Sequence, residues 1–161
     1  MYNTKETFEE VYQTIANDCI SRAQCGENIV YAVPGSPLVA EKTVVLIREL
    51  GKKLKVKVNI LAGMSFIEVL YVRLGIDPIE GLTVIDSKDI DRLVCSTENG
   101  IVITQVYNSQ VASDTKLSLM EIYPDDFKVT LIQNLGLPNE KIIEIALYEL
   151  DRQTGIDHLT S

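Results

Sequence analysis

Two short glycine-containing turns are the segments of this sequence best suited to hold a small molecule. In the first turn, Gly35, Ser36 and Pro37 follow the apolar run Ile29–Val33 and precede a helical pattern. Glycine lets the backbone approach a bound group closely, serine is a favoured helix N-cap, and proline suits the first helical position. The chemistry predicted here is the binding of a polar or anionic ligand by the N–H groups at a helix start.

The second turn repeats this arrangement about 30 residues further along. Gly63 follows the predicted strand Lys55–Leu61, and Ser65 with Glu68 has the S-x-x-E spacing of a capping box. Because the carboxyl ends of parallel strands meet at one edge of a sheet, both turns are predicted to lie at that edge. A purely structural reading, in which glycine and serine only build ordinary loops between strands and helices, stays open at this point.

Residues of the common catalytic and metal sites are scarce. His158 is the only histidine, and the three cysteines, Cys19, Cys25 and Cys95, form no C-x-x-C pair. Neither a Ser-His-Asp or Cys-His site nor a zinc site is therefore predicted. We expect reduced thiols in a cytoplasmic protein.

Nucleotide-hydrolysing sites also lack support in the sequence. Neither G-x-x-x-x-G-K-[ST] nor G-x-G-x-x-G occurs. Glu9 and Glu10 could belong to a magnesium cluster, but acidic residues in a first helical turn also complement the helix dipole, which is the interpretation preferred here.

Charge and hydropathy exclude further classes. The chain has 161 residues, is 46% hydrophobic and carries a net charge of −8. Such a chain can bury a core, and it has no basic field to attract nucleic acid or an anionic membrane. No apolar run approaches the roughly 18 residues of a membrane span, and no targeting segment is expected at the N-terminus.

The elements that position the two turns follow from hydrophobic periodicity. A helix is predicted over residues 7–25, with Thr7 and Glu10 as a capping box, followed by a parallel βαβ unit and a helix that ends at Leu74. The βαβ unit comprises strand Ile29–Val33, helix Pro37–Leu50 closed by Gly51, and strand Lys55–Leu61. These elements form a first lobe, residues 1–76.

The second half alternates strand and helix less strictly. It is predicted as a mixed-sheet α/β lobe over residues 77–152, followed by a polar tail or linker over 153–161. The predicted elements are strands Leu82–Ile85, Ile101–Val106, Lys128–Gln133 and Lys141–Ala146, a helical turn Ser87–Arg92, and a helix capped by Asp114 and ended by Pro124. The predicted fold class of the whole chain is α/β.

With these residues in view, the chain resembles a known family. VPGSPLVAEKT (33–43) followed by VKVNILAGMSFIEVL (56–70) is similar to two loops of the tetrapyrrole (corrin/porphyrin) methylases that bind S-adenosylmethionine. QVYNSQVASDTKLSLMEIYPDD (105–126) and LYELDRQTGIDHLTS (147–161) resemble the bacterial subgroup whose methylase domain precedes a MazG-type nucleoside triphosphate pyrophosphohydrolase. The resemblance covers essentially the whole chain.

The resemblance implies a cofactor, a site and partners. The cofactor is S-adenosylmethionine, bound in a cleft between the two lobes, and the partners are a small-molecule methyl acceptor and an adjoining MazG-type domain. Separately from the resemblance, the sheet edge and apolar face left by missing first strands predict a homodimer or a rearranged N-terminal helix that covers this face. Methyl transfer demands no strong general base, so no catalytic residue is assigned. The implied contacts to the methionine part are Pro34, Gly35, Ser36, Pro37, Gly63, Met64 and Ser65, and those to the adenosine are Gln105, Val106, Tyr107, Asn134 and Leu135.

The sequence also departs from the family pattern. The family's domain opens with a strand and a glycine-rich loop, and this chain begins after that point, so we expect a truncated first lobe that is inactive in isolation. Ser36 replaces the usual Asp, and Ala62 the usual Pro. The cations available for the carboxylates of a tetrapyrrole are chiefly Arg73, Lys88, Arg92 and Lys116.

Two other functions are considered. One is a non-catalytic regulatory or dimerisation module of a nucleoside triphosphate pyrophosphohydrolase, because a parallel sheet without its first strands exposes an edge that favours pairing. The other is pyrophosphohydrolase activity of the chain itself, which its few candidate carboxylates support poorly.

Overall fold

The structure of this protein, a computed structural model, describes residues 8–93 and 99–161. The chain divides into two compact units, unit 1 (Met1–Ser65) and unit 2 (Phe66–Ser161). This division precedes the helix that begins at Phe66, whereas the sequence places the lobe boundary after that helix. Thr7 and Cys95 lie outside the described residues. None of the described helices is both long and apolar enough to cross a membrane.

Unit 1 is built on two packed helices, α1 (Phe8–Gln24) and α2 (Lys42–Leu54). Their contact buries Ala16, Ile20 and Ile47, and half-buried apolar side chains from both helices and from residues 56–58 pack around these three. Lys42 Nζ lies 2.7 Å from Glu9 Oε1, so an ion pair joins the starts of the two helices. The helix predicted over 7–25 is therefore present, and its apolar face does pack against a neighbour.

The two segments predicted as strands in unit 1 lack strand pairing. Residues 29–33 and 55–61 are assigned to no ladder among the described residues. Val56, Val58 and Ile60 are nevertheless half-buried while the residues between them are exposed, which is the period-two pattern of a strand. Val30 is 90% exposed, so the segment at 29–33 is not the buried strand that was predicted. Strand formation needs a hydrogen-bonding neighbour, and apolar composition alone does not provide one.

Helix α2 begins and ends later than predicted. It starts at Lys42, with Glu41 at the N-cap and no side-chain cap, and it continues to Leu54. Ser36 is therefore not the N-cap, and Pro37 is not the first helical residue. Gly51 lies inside the helix and does not end it. A Cβ at this position would stand 2.6 Å from Val58 Cγ2, so close packing explains why glycine occurs here.

Unit 2 contains the paired strands of the protein's described residues. Helix α3 spans Phe66–Leu74, as predicted. Strands β1 (Leu82–Asp86) and β2 (Gly100–Thr104) are parallel, with Leu82 opposite Gly100. Strands β3 (Lys128–Gln133) and β4 (Lys141–Ala146) are antiparallel, with Lys128 opposite Ala146. The α/β class and the mixed strand directions of the second half are confirmed.

Short helices connect these strands and build the core of unit 2. The 3-10 segment Ser87–Arg92 links β1 to β2 as predicted, α4 covers Ser109–Met120, and a second 3-10 segment covers Leu147–Arg152. The buried apolar residues of this core are Ile90, Val106, Ala112, Leu119, Leu131, Ile145, Leu147 and Leu150.

Helix α4 begins earlier than predicted. Asn108 is its N-cap, and the Val111 N–H donates to Asn108 Oδ1 at 2.8 Å. Asp114 lies within the helix, where Gln110 Nε2 donates to its Oδ1 at 2.9 Å. Both residues are good capping types, and the contact of the buried Ala112 with the core selects the earlier start.

The C-terminal residues are hydrogen-bonded to strand β3 of unit 2. Ile132 and Ser161 exchange two backbone hydrogen bonds, each 2.9 Å long. Thr160 is 1% exposed and forms an isolated antiparallel bridge with Gln133. Residues 153–161, predicted as a tail or linker, thus run back to β3 and give it a further neighbour.

An ion pair between α4 and the last 3-10 segment contributes to the stability of unit 2. Lys116 Nζ lies 2.6 Å from Asp151 Oδ2, with the two side chains 15% and 22% exposed. The hydrogen bond from Lys116 is the main cause that lowers the pKa of the Asp151 carboxyl. A carboxyl whose pKa is lowered by folding adds stability above its ordinary pKa, and this stability is lost as pH falls through the folded pKa.

Replacing the cation of this pair should therefore destabilise the protein in a pH-dependent way. We expect Lys116→Met to lower the free energy of unfolding by about 1–2 kcal/mol at pH 7, and the difference from wild type to narrow as pH falls below 4. Urea denaturation between pH 3 and 7 measures this. Lys128→Met, at an exposed position of β3, is the control. A Lys116→Met deficit that stays constant down to pH 3 would contradict the role of the ion pair.

Candidate functional site

The two glycine turns of unit 1 are in direct backbone contact. A Cβ on Gly63 would lie 2.5 Å from the carbonyl oxygen of Gly35 and 3.5 Å from Cα of Ser36. A Cβ on Gly35 would lie 3.4 Å from the carbonyl oxygen of Met64, and Gly35 itself has φ +86°. Only glycine fits at residue 63 without displacing the first turn. The predicted proximity of the two turns is therefore confirmed, but the predicted reason for it is not, because residues 29–33 and 55–61 form no parallel ladder among the described residues.

The surface made by these turns is mainly backbone. Pro34, Gly35 and Gly63 are exposed, Ser36 and Pro37 are half-buried, and Met64 is 70% exposed. Ser65, by contrast, is 6% exposed. Exposed backbone beside a flexible thioether side chain can present carbonyl and N–H groups to a small molecule with an apolar portion.

The helix-start mechanism predicted for the first turn does not hold. Helix α2 starts at Lys42, and a separate turn precedes it, with the Val39 N–H donating to the Ser36 carbonyl at 3.2 Å and Ala40 at φ +58°. The N-cap residue, Glu41, has its pKa raised by burial. Anion binding by the start of α2 is therefore not available to Gly35 and Ser36.

In unit 2, the predicted adenosine contacts begin at the end of β2. Gln105 has φ +64°, and its carbonyl accepts a hydrogen bond from Ser87 Oγ at 3.0 Å. Val106 is 3% exposed and belongs to the core, while Tyr107 is 50% exposed. A left-handed backbone costs a non-glycine residue about 1 kcal/mol, and such strain concentrates at functional sites.

The end of β3 has a similar feature at Asn134. Asn134 has φ +54°, its N–H donates to the Leu159 carbonyl at 3.1 Å, and its own carbonyl accepts from the Leu137 N–H at 2.9 Å. Leu135 is half-buried beside it. Both predicted adenosine segments thus follow a strand of unit 2 directly and begin with a left-handed residue.

The sequence analysis missed the residue that fixes this second turn. Glu140 accepts the Gly136 N–H at 2.6 Å through Oε2 and Arg73 Nε at 2.8 Å through Oε1. The bond from Gly136, and then the guanidinium of Arg73, lower the pKa of the Glu140 carboxyl. Glu140 thereby ties the turn to α3. No local motif marks it, because Arg73 is 67 residues away in sequence, although Gly136 is only four residues away.

The four cations expected to meet an anionic substrate are all paired. Arg73 is bound to Glu140, Lys88 Nζ lies 3.0 Å from Asp86 Oδ2, Arg92 Nη1 lies 3.9 Å from Asp89 Oδ1, and Lys116 is bound to Asp151. These charges are not available at full strength to the carboxylates of a ligand.

Metal and thiol chemistry find no support in the described parts of the chain. Within residues 8–93 and 99–161 there is no group of three or more His, Cys, Asp and Glu side chains placed to hold a metal ion. Burial raises the pKa of the Cys19 thiol, which keeps it protonated and unreactive. Cys25 is exposed and, like Cys19, unpaired by any disulfide.

Comparison with known proteins places this geometry in context. The family model of the tetrapyrrole (corrin/porphyrin) methylases matches residues 1–151. A curated relative, the uncharacterized protein YabN of Bacillus subtilis (strain 168), is 40% identical over 161 residues, which is 100% of this chain and 33% of that protein. This chain therefore spans about a third of the length of that relative.

Solved structures share the fold at low sequence identity. The uroporphyrin-III C-methyltransferase of Thermus thermophilus superposes with a TM-score of 0.71 at 16% identity, over 91% of this chain and 68% of that one. The same enzyme complexed with S-adenosylhomocysteine gives 0.57 at 13% identity, over 91% and 67%. The methyltransferase CobJ gives 0.69 at 12% identity, over 92% and 69%. At these identities the likeness concerns the fold alone.

The contact between the turns gives a direct structural prediction. Gly63→Ala should lower the free energy of unfolding by about 1–3 kcal/mol, because the added methyl group collides with the Gly35 carbonyl. Urea denaturation of the full chain measures the effect. Ala62→Ser, which also adds one heavy atom but at the neighbouring exposed residue, should stay within about 0.5 kcal/mol of wild type. Equal stability of both variants would show that the two turns do not need their close approach.

Proposed function

This chain belongs to the tetrapyrrole (corrin/porphyrin) methylase family, and we propose that it contributes the S-adenosylmethionine site of a methyltransferase. The observation that carries the proposal is the backbone contact between the Gly35 and Gly63 turns, which are the loops that resemble the family's cofactor-binding motifs. A related fold complexed with S-adenosylhomocysteine supports the same ligand class.

The proposed contacts come from both units. Residues 34–37 and 63–65 meet the methionine part of the cofactor, with Met64 as the most exposed side chain among them. Residues 105–107 and 134–135 meet the adenosine, chiefly through backbone groups. Left-handed Gln105 and Asn134 turn the chain sharply directly after the two strands, and backbone strain of this kind concentrates at functional sites.

The chemistry that follows is methyl transfer to a small molecule. S-adenosylmethionine would supply a methyl group bound to a positively charged sulfur. A lone pair of the acceptor would attack the methyl carbon in line with the carbon–sulfur bond, and that bond would break with its electron pair going to sulfur, which becomes a neutral thioether. The residues of this chain serve to hold donor and acceptor in line, which is the larger part of what such a reaction needs. We assign no general base.

The acceptor that we propose is less anionic than a porphyrin precursor with many carboxylates. Arg73, Lys88, Arg92 and Lys116 are each bound to a carboxylate of the chain itself, and the net charge of the whole chain is −8. A polycarboxylate would have to displace those partners and overcome the overall repulsion.

We further propose that full activity requires residues outside this chain. The chain covers 33% of YabN, and the segments at 29–33 and 55–61 lack pairing partners among the described residues. In this proposal the chain alone is inactive, acts in a cytoplasmic protein, and adjoins a MazG-type domain in the longer protein.

A second function, a non-catalytic dimerisation or regulatory module, is favoured by one observation. Val30 is 90% exposed and Leu61 is 83% exposed, and both belong to segments that carry a strand-like sequence without strand pairing. Apolar segments of this kind favour pairing with another copy, so a homodimer serving an adjoining hydrolase is the alternative proposal.

Calorimetric titration with S-adenosylhomocysteine tests the cofactor proposal. We expect saturable binding of S-adenosylhomocysteine by the longer protein that this proposal requires. Its Gly63→Ala variant should lose at least about tenfold in affinity, because the two turns must touch to form the methionine site. Ala62→Ser is the matched control, and thermal unfolding confirms that each variant is folded. Absence of binding by the longer protein would refute the methyltransferase site.

Multi-angle light scattering of the chain at tens of micromolar tests the alternative. A dimer that Val30→Ser and Leu61→Ser convert to a monomer supports pairing through the exposed apolar segments. A monomeric wild-type chain contradicts the dimerisation module and leaves the titration result unaffected.

A further inference from the structure

A basic, partly apolar groove lies along helix α2 in unit 1. It encloses about 450 Å³. The lining residues are Val45, Arg48, Glu49, Lys52, Val56 and Val58. The first four recur at spacings of three and four along the helix and so share one face, while the two last valines come from the segment that follows the helix. The volume is that of a modest ligand pocket.

The charge around this groove is opposite to that of the whole chain. Residues 48–57 contain five of the fifteen Lys and Arg residues, namely Arg48, Lys52, Lys53, Lys55 and Lys57, against one acidic residue, Glu49. All five cations are exposed. Over residues 8–93 and 99–161, none of them has a carboxylate partner, in contrast to the four paired cations described above.

The floor of the groove is apolar and partly open to solvent. Val45 is 42% exposed, and Val56 and Val58 are half-buried. Helix α2 already buries its other face, with Val44 and Ile47, in the core of unit 1. The groove is therefore not the surface on which α2 packs against α1, and its two lining cations, Arg48 and Lys52, are not needed to hold α2 in place.

We propose that this groove is a docking site for a short acidic segment of another protein, which inserts apolar side chains between its carboxylates. Two unpaired cations, Arg48 and Lys52, line the groove beside three valines, and Lys53, Lys55 and Lys57 lie close to them in sequence. This combination is complementary to alternating acidic and aliphatic residues. A nucleic acid or an anionic membrane is a poorer match. The net charge of −8 repels an extended polyanion, and a phosphate backbone would leave the valines uncovered.

A labelled peptide of alternating glutamate and valine, twelve residues long, is the probe for this site. We expect saturable binding to the full chain by fluorescence anisotropy, weakened as sodium chloride is raised from 50 to 500 mM. The double variant Arg48→Glu/Lys52→Glu should weaken binding by about tenfold or more. Val45→Ser should weaken it by a smaller factor. Circular dichroism confirms folding of each variant.

A matched variant separates this site from unspecific charge attraction. Lys128→Glu/Lys141→Glu makes the same charge change at exposed positions of β3 and β4, and it should leave peptide affinity unchanged. Equal losses in the two double variants, or no saturable binding of the peptide, would overturn the proposal. So would equally tight binding of polyadenylate or of vesicles containing phosphatidylserine. A wild-type dimer that only Arg48→Glu/Lys52→Glu dissociates would also overturn it, by making the groove a contact between copies.

The proposal is independent of cofactor binding. Neither Arg48 nor Lys52 lies in the turns at residues 34–37 and 63–65, so affinity of the longer protein for S-adenosylhomocysteine should not change in the double variant. Failure of the peptide to bind therefore leaves the methyltransferase proposal intact, and failure of the titration leaves the docking site intact.

Discussion

The close approach of the Gly35 and Gly63 backbones is the constraint on which the candidate site depends. No side chain fits at residue 63, since a Cβ would stand 2.5 Å from the Gly35 carbonyl oxygen. This contact joins two loops that lie far apart in sequence and sets them beside the buried Ser65. The proposed site is made mainly of backbone, which would tolerate changes of side chain such as Ser36 and Ala62, where the family resemblance leads us to expect Asp and Pro. The essential feature is the space, and glycine provides it.

In unit 2, the candidate backbone turns are formed by the residues that follow two strands and do not depend on contact between two glycines. β2 and β3 are each followed directly by a residue with a left-handed backbone, Gln105 and Asn134. The Gln105 carbonyl accepts a hydrogen bond from Ser87, and the N–H and carbonyl of Asn134 bond to Leu159 and Leu137. Glu140 then binds both Gly136 and Arg73. Tertiary contacts therefore hold in place a backbone conformation that the local sequence would not select by itself.

The cations of the chain fall into two groups, those paired with carboxylates and those without such a partner among the described residues. Cations of unit 2 that could meet an anionic acceptor are neutralised by neighbouring carboxylates. The five cations within residues 48–57 have no such partners among the described residues, and two of them, Arg48 and Lys52, line a small groove with three valines. An acidic chain that concentrates unpaired positive charge in one place favours a short-range, shape-dependent contact over long-range attraction of polyanions.

The sequence by itself determined the family, the α/β class, the helices at 8–24 and 66–74, the ranges of β3 and β4, and the pairing of the two glycine turns. These features follow from periodicity and from residues with one physical role, such as a glycine at a close approach.

Tertiary structure decided where α2 and α4 begin, because several good caps compete and packing selects Lys42 and Ser109 as the first helical residues. It also decided which apolar segments become strands and which cations are paired. Residues 29–33 have a strand's composition but no described neighbour, and Glu140 finds Arg73 only in the folded chain. Hydrogen bonding between strands and ion pairing both join distant residues, so no local pattern contains them.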